Sequence, residues 1–243
     1  MRFCGLTKVV SGCHIALRFS ALATLGLLPF ATPAAPAEKG SQITVGGNLR
    51  DDRVGGSVSY LQALSGNLRK AGPLLRFGAS SGETDDDYIV IPDNGSSSYS
   101  VEALAGWQSF YRGWRFRAFA GAIYRGRSGE NSDTDGLGFK VMVQTNSAWS
   151  APTYVNATAS YDTATDKVVS RLQVGRHFGE KIIGPEGGVV WSSDSQRYDF
   201  GMFMTGVKLD KVGLSFRAGY SHNEGASTRG DSPYLGVSAT YQF

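Results

Sequence analysis

Extended segments in which apolar and polar side chains alternate recur along most of this chain. Neighbouring side chains of a strand point to opposite faces, so an alternating segment has one apolar and one polar face. Over residues 114–125, even positions hold only aromatic residues or alanine, whereas odd positions include three arginines. A tilted strand that crosses a bilayer needs about 10 residues with this alternation. The pattern therefore predicts membrane-spanning strands with an apolar outer face.

The alternation predicts an all-β fold, an antiparallel transmembrane β-barrel of the outer-membrane type with about 12 strands. The segments are 43–50, 54–64, 73–81, 99–110, 114–125, 137–149, 153–162, 167–178, 182–192, 197–209, 212–222 and 232–243. Because the first two and the tenth alternate poorly, a count of eleven is an alternative. Connections after even-numbered segments are mostly short and those after odd-numbered segments mostly longer and polar, as expected for periplasmic turns and outer loops. This regularity favours twelve.

The last segment shows the pattern most clearly. Leu235, Val237 and Ala239 share one face with Tyr241 and Phe243, and the opposite face is polar or glycine apart from Tyr234. An aromatic final residue on the apolar face resembles the closing strand of a bacterial outer-membrane barrel. Tyr241 and Phe243 are therefore the predicted barrel-closing signal.

A soluble β-sandwich is the alternative fold, because its strands alternate too while burying the apolar face. Charged side chains on one face of nearly every segment count against it. Aromatic residues also gather near segment ends on the apolar face, as in the interfacial girdles of membrane barrels. They are Trp107, Trp114, Tyr124, Trp149, Tyr161, Trp191, Tyr220 and Phe243.

The first 37 residues have the features of a secretory signal peptide. Arg2, Lys8 and Arg18 precede an apolar run, and Ala35-Pro36-Ala37 supplies a small-residue cleavage site. The run is too short for a membrane anchor, which needs about 20 apolar residues. A lipid attachment at Cys13 is disfavoured because the apolar run follows that cysteine. We predict a signal peptide over 1–37, cleaved near Ala37, and a single barrel domain over 38–243.

Removal of that segment changes what the composition implies. Both cysteines, Cys4 and Cys13, lie within it, so the exported chain would have no disulfide or thiol chemistry. The formal charge of +3 also belongs to this segment, and the remainder is balanced. A nucleic-acid partner therefore has no electrostatic support. No spacing typical of metal ligands occurs, so neither a metal nor a cofactor is predicted.

Charged side chains on the polar faces are the main functional candidates. They should line the lumen, where each needs a partner or water. One interpretation is a salt-bridge network that plugs a narrow barrel, and the other is a cation-lined passage for anionic or sugar-like solutes. The candidates are Arg76, Glu102, Arg115, Arg117, Arg125, Lys140, Arg171, Glu186 and Arg217.

Two histidines leave an enzymatic alternative open, namely an outer-membrane lipid-modifying enzyme. His177 is predicted to face the lumen near the periplasmic end of its strand, and His222 to lie near the outer end of the next-to-last strand. Ser221 precedes His222, but adjacent strand residues face opposite ways and cannot form a relay. Asp85-Asp86-Asp87, in the longest predicted outer loop, is interpreted as a solvated acidic loop.

Gly184-Pro185-Glu186 lies inside the ninth predicted strand, where proline is unusual because it removes a ladder donor. This triplet resembles the BcsS family of bacterial cellulose-biosynthesis proteins. Similar pieces follow in order over most of the chain: 74–76, 104–108, 120–124, 138–141 and the aromatic end. The resemblance implies a non-catalytic outer-membrane accessory of cellulose synthesis or export. Its implied partners are outer-membrane lipid, lipopolysaccharide, and cellulose synthase components or the glucan chain; a small-solute porin is the other alternative.

Overall fold

The computed structural model describes residues 39–50, 53–84, 96–128, 134–193, 195–225 and 230–243. The predicted signal peptide and Asp85–Asp87 lie outside these ranges. No helix in the described ranges is long and apolar enough to cross a membrane. The strands are β1 Ser41–Arg50, β2 Arg53–Ala63, β3 Gly72–Thr84, β4 Ser96–Tyr111, β5 Trp114–Ser128, β6 Thr134–Ser147, β7 Thr153–Asp162, β8 Lys167–Phe178, β9 Lys181–Trp191, β10 Ser195–Leu209, β11 Val212–Gly225 and β12 Gly230–Gln242.

These strands form one closed antiparallel barrel. Each strand pairs with its neighbours in sequence, and β12 returns to pair with β1. The backbone N–H of Ser41 donates to the carbonyl of Phe243 at 2.9 Å, and the N–H of Phe243 donates back at 3.0 Å. Closure removes the unpaired edges that lipid could not hydrogen-bond. The predicted fold, the strand count of twelve and the closing role of the last segment are confirmed.

The structure extends several strands beyond their predicted ends, and the longest extensions run toward the longer connections. β3 continues to Thr84 and β4 begins at Ser96, with Glu83 opposite Ser97. These extensions contain serine, threonine and glycine without apolar alternation, so the sequence pattern stops before the backbone ladder does. Pairing with an already ordered neighbour continues the strand where side-chain patterning no longer specifies it.

The two ends of the barrel differ in their connections. At the turn end, two-residue turns at Arg112–Gly113, Gly179–Glu180 and Asp210–Lys211 join successive strands. Arg112 and Asp210 have φ angles of 47° and 53°, and Gly113 and Gly179 also have positive φ, as tight antiparallel turns require. Both barrel termini lie here too. The opposite end, the loop end, has the connections after odd-numbered strands.

Apolar side chains cover the outer face of the wall. Phe200 is 67% exposed, and Val101, Phe116, Leu172 and Leu235 are also exposed. A contiguous exposed apolar surface marks contact with lipid or a partner. In a closed barrel the outer face belongs against the hydrocarbon of a bilayer.

An apolar cluster fills one side of the interior near the turn end. The connection between β2 and β3 folds inward and buries Leu68, whose N–H donates to the Lys39 carbonyl at 3.1 Å. Gly106 makes room for the ring of Phe119, because a β-carbon at Gly106 would lie 2.4 Å from Phe119 Cδ1. The cluster consists of Leu61, Ala63, Leu68, Leu74, Leu104, Phe119 and Met142.

Candidate functional site

The strand registers place every side chain predicted to line the lumen on the inner face of the wall. These are Arg76, Glu102, Arg115, Arg117, Arg125, Lys140, Arg171, Glu186 and Arg217. The prediction omitted Arg50, Asp162, Arg197 and Asp199, which also point inward. The first and tenth predicted segments, which hold Arg50, Arg197 and Asp199, alternate weakly, so hydrophobic periodicity gave no signal there, whereas the alternation of β7 does place Asp162 on the inner face. Three of these four side chains form ion pairs with one another.

Glu102 is the centre of a charge cluster on β3, β4 and β6. Its Oε1 accepts a hydrogen bond from Arg76 Nε at 3.0 Å, and its Oε2 accepts one from Lys140 Nζ at 2.6 Å. Gly78 leaves the space that this carboxylate occupies, because a β-carbon there would lie 2.8 Å from Glu102 Oε1. Glu102 is 9% exposed, so the pair of cations offsets the cost of burying its charge.

Asp199 on β10 joins elements that are not neighbours in the sheet. Arg50, at the end of β1, donates from Nη2 to both carboxylate oxygens at 3.3 Å. Ser221 donates to Oδ1 at 2.6 Å, and Arg197 Nε lies 3.2 Å from the same oxygen. At the loop end, Arg125 Nη2 lies 2.8 Å from Asp162 Oδ2. Of these three arginines the sequence predicted only Arg125 as a lumen residue, and it predicted neither of the two carboxylates.

A chain of hydrogen-bonded side chains runs around the inner wall from β5 to β9. Arg115 donates to Asn146 Oδ1, Asn146 Nδ2 donates to Asn156 at 2.9 Å, and Asn156 Nδ2 donates to Gln173 at 2.9 Å. Gln173 Nε2 then donates to Glu186 Oε2 at 2.8 Å. Each successive strand contributes one member, so the chain depends on the register of four strand pairs. We call Arg115, Asn146, Asn156, Gln173 and Glu186 the polar girdle.

Glu186, the last member of the girdle, also accepts a hydrogen bond from a residue outside it. The Tyr234 hydroxyl on β12 donates to Glu186 Oε1 at 2.7 Å. Arg50 lies 5.8 Å from the centre of the Tyr234 ring, which links this site to Asp199. Arg171 is within electrostatic range of Glu186 and Asp199. The carboxylate of Glu186 is therefore hydrogen-bonded by neutral donors, with guanidinium charge nearby.

Arg117 is buried at 7% exposure on a different part of the wall. Its Nε donates to Gln108 Oε1 at 3.2 Å, and Gln108 Nε2 donates to the Lys70 carbonyl at 2.6 Å. Arg117 Nη2 is buried without a hydrogen-bond partner. These contacts attach the connection between β2 and β3 to the inner wall, beside the apolar cluster.

The three residues of the Gly184-Pro185-Glu186 triplet have different environments. A β-carbon at Gly184 would lie 2.0 Å from the Val174 carbonyl oxygen, so β8 and β9 approach too closely there for a larger residue. The β8–β9 pairing skips Val174, opposite Pro185, which has no N–H to donate. Pro185 faces outward and Glu186 inward. The triplet thus interrupts the ladder beside the residue that anchors the girdle.

His177 and His222 point to opposite sides of the barrel wall. Ser221 points inward to Asp199, whereas His222 points outward and is 51% exposed in its side chain. His222 Nδ1 lies 2.6 Å from Asp231 Oδ1 and Nε2 lies 3.4 Å from Glu224 Oε1. His177 points inward at the turn end. Within the described ranges, no group of three or more His, Cys, Asp or Glu side chains is arranged to hold a metal ion.

Trp149 does not belong to the outer aromatic girdle, which corrects the sequence interpretation. It lies beyond the end of β6 and contacts the rings of two inward-facing residues, His177 at 5.8 Å and Tyr154 at 6.0 Å between centroids. Tyr154 also contacts Phe203 at 6.0 Å. The alternation of β6 cannot specify this side chain, because the strand has ended at Ser147. Trp149 therefore lies at the mouth of the lumen.

Solved structures with a similar fold are outer-membrane proteins of low sequence identity. LpxR from Salmonella typhimurium has a TM-score of 0.52 at 12% identity, covering 83% of this chain and 100% of that chain. The β domain of the Bordetella autotransporter BrkA has a TM-score of 0.52 at 10% identity, covering 84% and 99%. A KdgM porin has a TM-score of 0.50 at 8% identity, covering 83% and 99%. These likenesses show the fold alone.

Sequence comparison gives the more specific result. No curated protein matches the chain. A family model described as cellulose biosynthesis protein BcsS matches residues 54–243, which run from β2 through β12. The resemblance inferred from the Gly184-Pro185-Glu186 triplet is thereby confirmed, and the chain belongs to the BcsS family of cellulose biosynthesis proteins.

Proposed function

We propose that this protein is a non-catalytic outer-membrane accessory of bacterial cellulose synthesis or export. The observation that carries the proposal is the extent of the family match. Residues 54–243 cover β2 to β12 and their connections, which is all of the barrel except β1. The role in cellulose biosynthesis therefore belongs to the barrel wall, its lumen and its two ends.

The same proposal fixes an orientation. Residues 1–37 direct export and are removed, and the turn end with Arg112–Gly113 and Asp210–Lys211 faces the periplasm. The loop end then faces outward among lipopolysaccharide. Components of the cellulose synthase, or the glucan chain that it makes, would meet the barrel from the periplasmic side.

The positions of the candidate catalytic groups support a non-catalytic role. Both ring nitrogens of His222 lie beside carboxylates on the outer surface, while Ser221 is held inside by Asp199. A serine relay needs its base within hydrogen-bond reach of the hydroxyl. The wall of β11 separates these two groups.

Deletion of the gene, followed by complementation, tests the proposal. We expect cellulose output, measured as glucose released by cellulase from washed cells, to fall on deletion. The wild-type chain and the variant His222→Ala should both restore it, since His222 lies on the outer surface. Unchanged output after deletion would refute the role in cellulose biosynthesis, and failure of a folded His222→Ala variant to complement would refute the non-catalytic assignment.

Passage of small anionic or sugar-like solutes is the second candidate function. The inner face favours it, because Arg115, Arg117, Arg171 and Arg217 have no carboxylate partner within salt-bridge distance among the described residues. Single-channel conductance in planar bilayers tests this directly. Steady anion-selective conductance would support a channel, whereas a silent barrel that still complements cellulose output would exclude it.

A further inference from the structure

A cleft of about 350 Å³ opens at the turn end, beside the girdle but outside it. Its lining combines one aromatic ring system with hydroxyl, imidazole, carboxylate and ammonium groups. A volume of ~300–1,000 Å³ is typical of small-molecule sites. The lining residues are Trp149, Ser150, His177, Gly179, Glu180 and Lys208.

Trp149 is both exposed and held in place. Its side chain is 49% exposed, yet its ring contacts His177 and Tyr154 at steep interplanar angles of 80° and 69°. The backbone of Gly206 supports the other edge, since a β-carbon there would lie 2.9 Å from Trp149 Cη2. Gly206 has a φ of 83° and sits where the β10–β11 register shifts. The indole is thus a preformed platform, which lowers the entropic cost of ligand binding.

The polar girdle and the ring contacts of Trp149 share one strand, β7. Tyr154, which packs on Trp149, is followed two residues later by Asn156 on the same face of β7. Asn156 and Gln173 each use one amide hydrogen and one oxygen lone pair in the girdle, whereas Asn146 Oδ1 already accepts from both Nε and Nη2 of Arg115. A primary amide has two donor hydrogens on its nitrogen and two lone pairs on its oxygen. The girdle therefore retains hydrogen-bonding capacity toward a ligand in the lumen.

We infer that this cleft binds a glucose unit of an uncharged β-linked glucan, with Trp149 as the stacking platform. A pyranose ring has apolar C–H faces that pack on an aromatic ring and equatorial hydroxyls that need polar partners. Glu180 and Lys208 lie 3.6 Å apart, so they balance each other and the cleft favours no net ligand charge. The amides of the girdle suit further hydroxyls of the same chain. The inference rests on the proposed function, which makes a β-glucan the polymer present at this end.

Isothermal titration calorimetry with cellotetraose tests the inference on the full-length barrel, extracted from membranes in detergent. Trp149→Ala should weaken binding about tenfold or more, as truncation of a central tryptophan anchor does. Trp149→Phe should lose less, because it keeps part of the platform. Trp107→Phe is the matched control, since this equally exposed tryptophan lies on the outer face of β4. Heat-dependent gel mobility of each variant shows that it is folded.

Maltotetraose and tetragalacturonate separate the ligand classes. We expect weaker binding of the α-linked oligosaccharide and of the anionic one. Absence of cellotetraose binding, equal binding by Trp149→Ala, or preference for tetragalacturonate would each overturn the inference. Calorimetry tests the cleft, and cellulose output tests the role of the barrel. If the barrel restores cellulose output but does not bind cellotetraose, the glucan site is rejected and the proposed function stands.

Discussion

Glu102 and Glu186 are similarly buried inner-wall carboxylates whose surroundings differ. Glu102 is 9% exposed and contacts two cations, Arg76 and Lys140. Glu186 is 6% exposed and accepts its hydrogen bonds from the neutral groups of Gln173 and Tyr234. Ion pairs stabilise the region around Glu102. The region around Glu186 depends on hydrogen bonds from neutral groups, which the strand register aligns. The first region adjoins the apolar cluster, and the second is the end of the polar girdle on β9.

The two regions therefore differ in what they contribute to the barrel. A paired charge cluster beside packed apolar side chains stabilises and fills one side of the interior. The three neutral amides of the girdle, on β6 to β8, keep hydrogen-bonding groups available on part of the inner wall. The following predictions compare the two regions by their effect on the free energy of unfolding, measured by urea titration of the folded barrel in lipid vesicles.

Glu102→Gln should have the largest effect, a loss of about 3 kcal/mol, because it leaves two buried cations without their carboxylate. Asp231→Asn is the control, since its contact with His222 lies on the exposed outer surface, where water screens it. Similar losses for the two variants would show that water in the lumen screens the Glu102 cluster.

Glu186→Gln should cost less, about 2 kcal/mol. The amide still accepts a hydrogen bond through its oxygen, but its NH₂ group now meets the second donor, and one charged hydrogen bond contributes about 1.5–3 kcal/mol. A loss equal to that of Glu102→Gln would contradict the distinction drawn between the two carboxylates and make Glu186 the main counter-ion of Arg171.

Tyr234→Phe should lower the free energy of unfolding by about 1.5 kcal/mol, because it removes only the hydrogen bond to Glu186. The ring and its contact with Arg50 remain. Tyr220→Phe, on the outer face and 67% exposed, is the control and should leave stability unchanged. Equal behaviour of both variants would mean that the Tyr234 hydroxyl adds nothing to the girdle.

Asn156→Ala should have the smallest effect, about 1 kcal/mol, since it interrupts the girdle between neutral amides whose former partners can bind water. The ratio of lost cellotetraose affinity to lost stability should be larger for Asn156→Ala than for Glu102→Gln. The reverse order would place the ligand on the Glu102 side of the lumen.

Much of the fold was predictable because lipid imposes a strict pattern. Strands β7 and β8 were predicted with the observed ends, since Thr153–Asp162 and Lys167–Phe178 alternate throughout and short turns bound them. β3 and β4 were predicted too short, because their polar ends beyond Ser81 and before Tyr99 carry no apolar face. Family membership was also predictable, from the Gly184-Pro185-Glu186 triplet inside a predicted strand and the similar pieces along the chain.

Partnerships inside the lumen were not predictable in the same way. Alternation assigns a residue to a face, but it does not say which side chains meet across that face. The pairing of Arg50 with Asp199 joins residues 149 positions apart in the chain. The girdle needs four registers at once, and a shift of one residue in any of them would turn its member outward.

The sequence by itself determined the barrel, its closing strand, the inner position of the charged residues and the family. Each of these follows from period-two patterning or from local residue order, which lipid and strand geometry translate directly into structure. Only the tertiary structure decided how the carboxylates are partnered, that Trp149 lies at the lumen mouth and that a polar girdle connects β5 to β9. Those features depend on contacts between residues that are distant in sequence, and closure of the sheet alone brings them together.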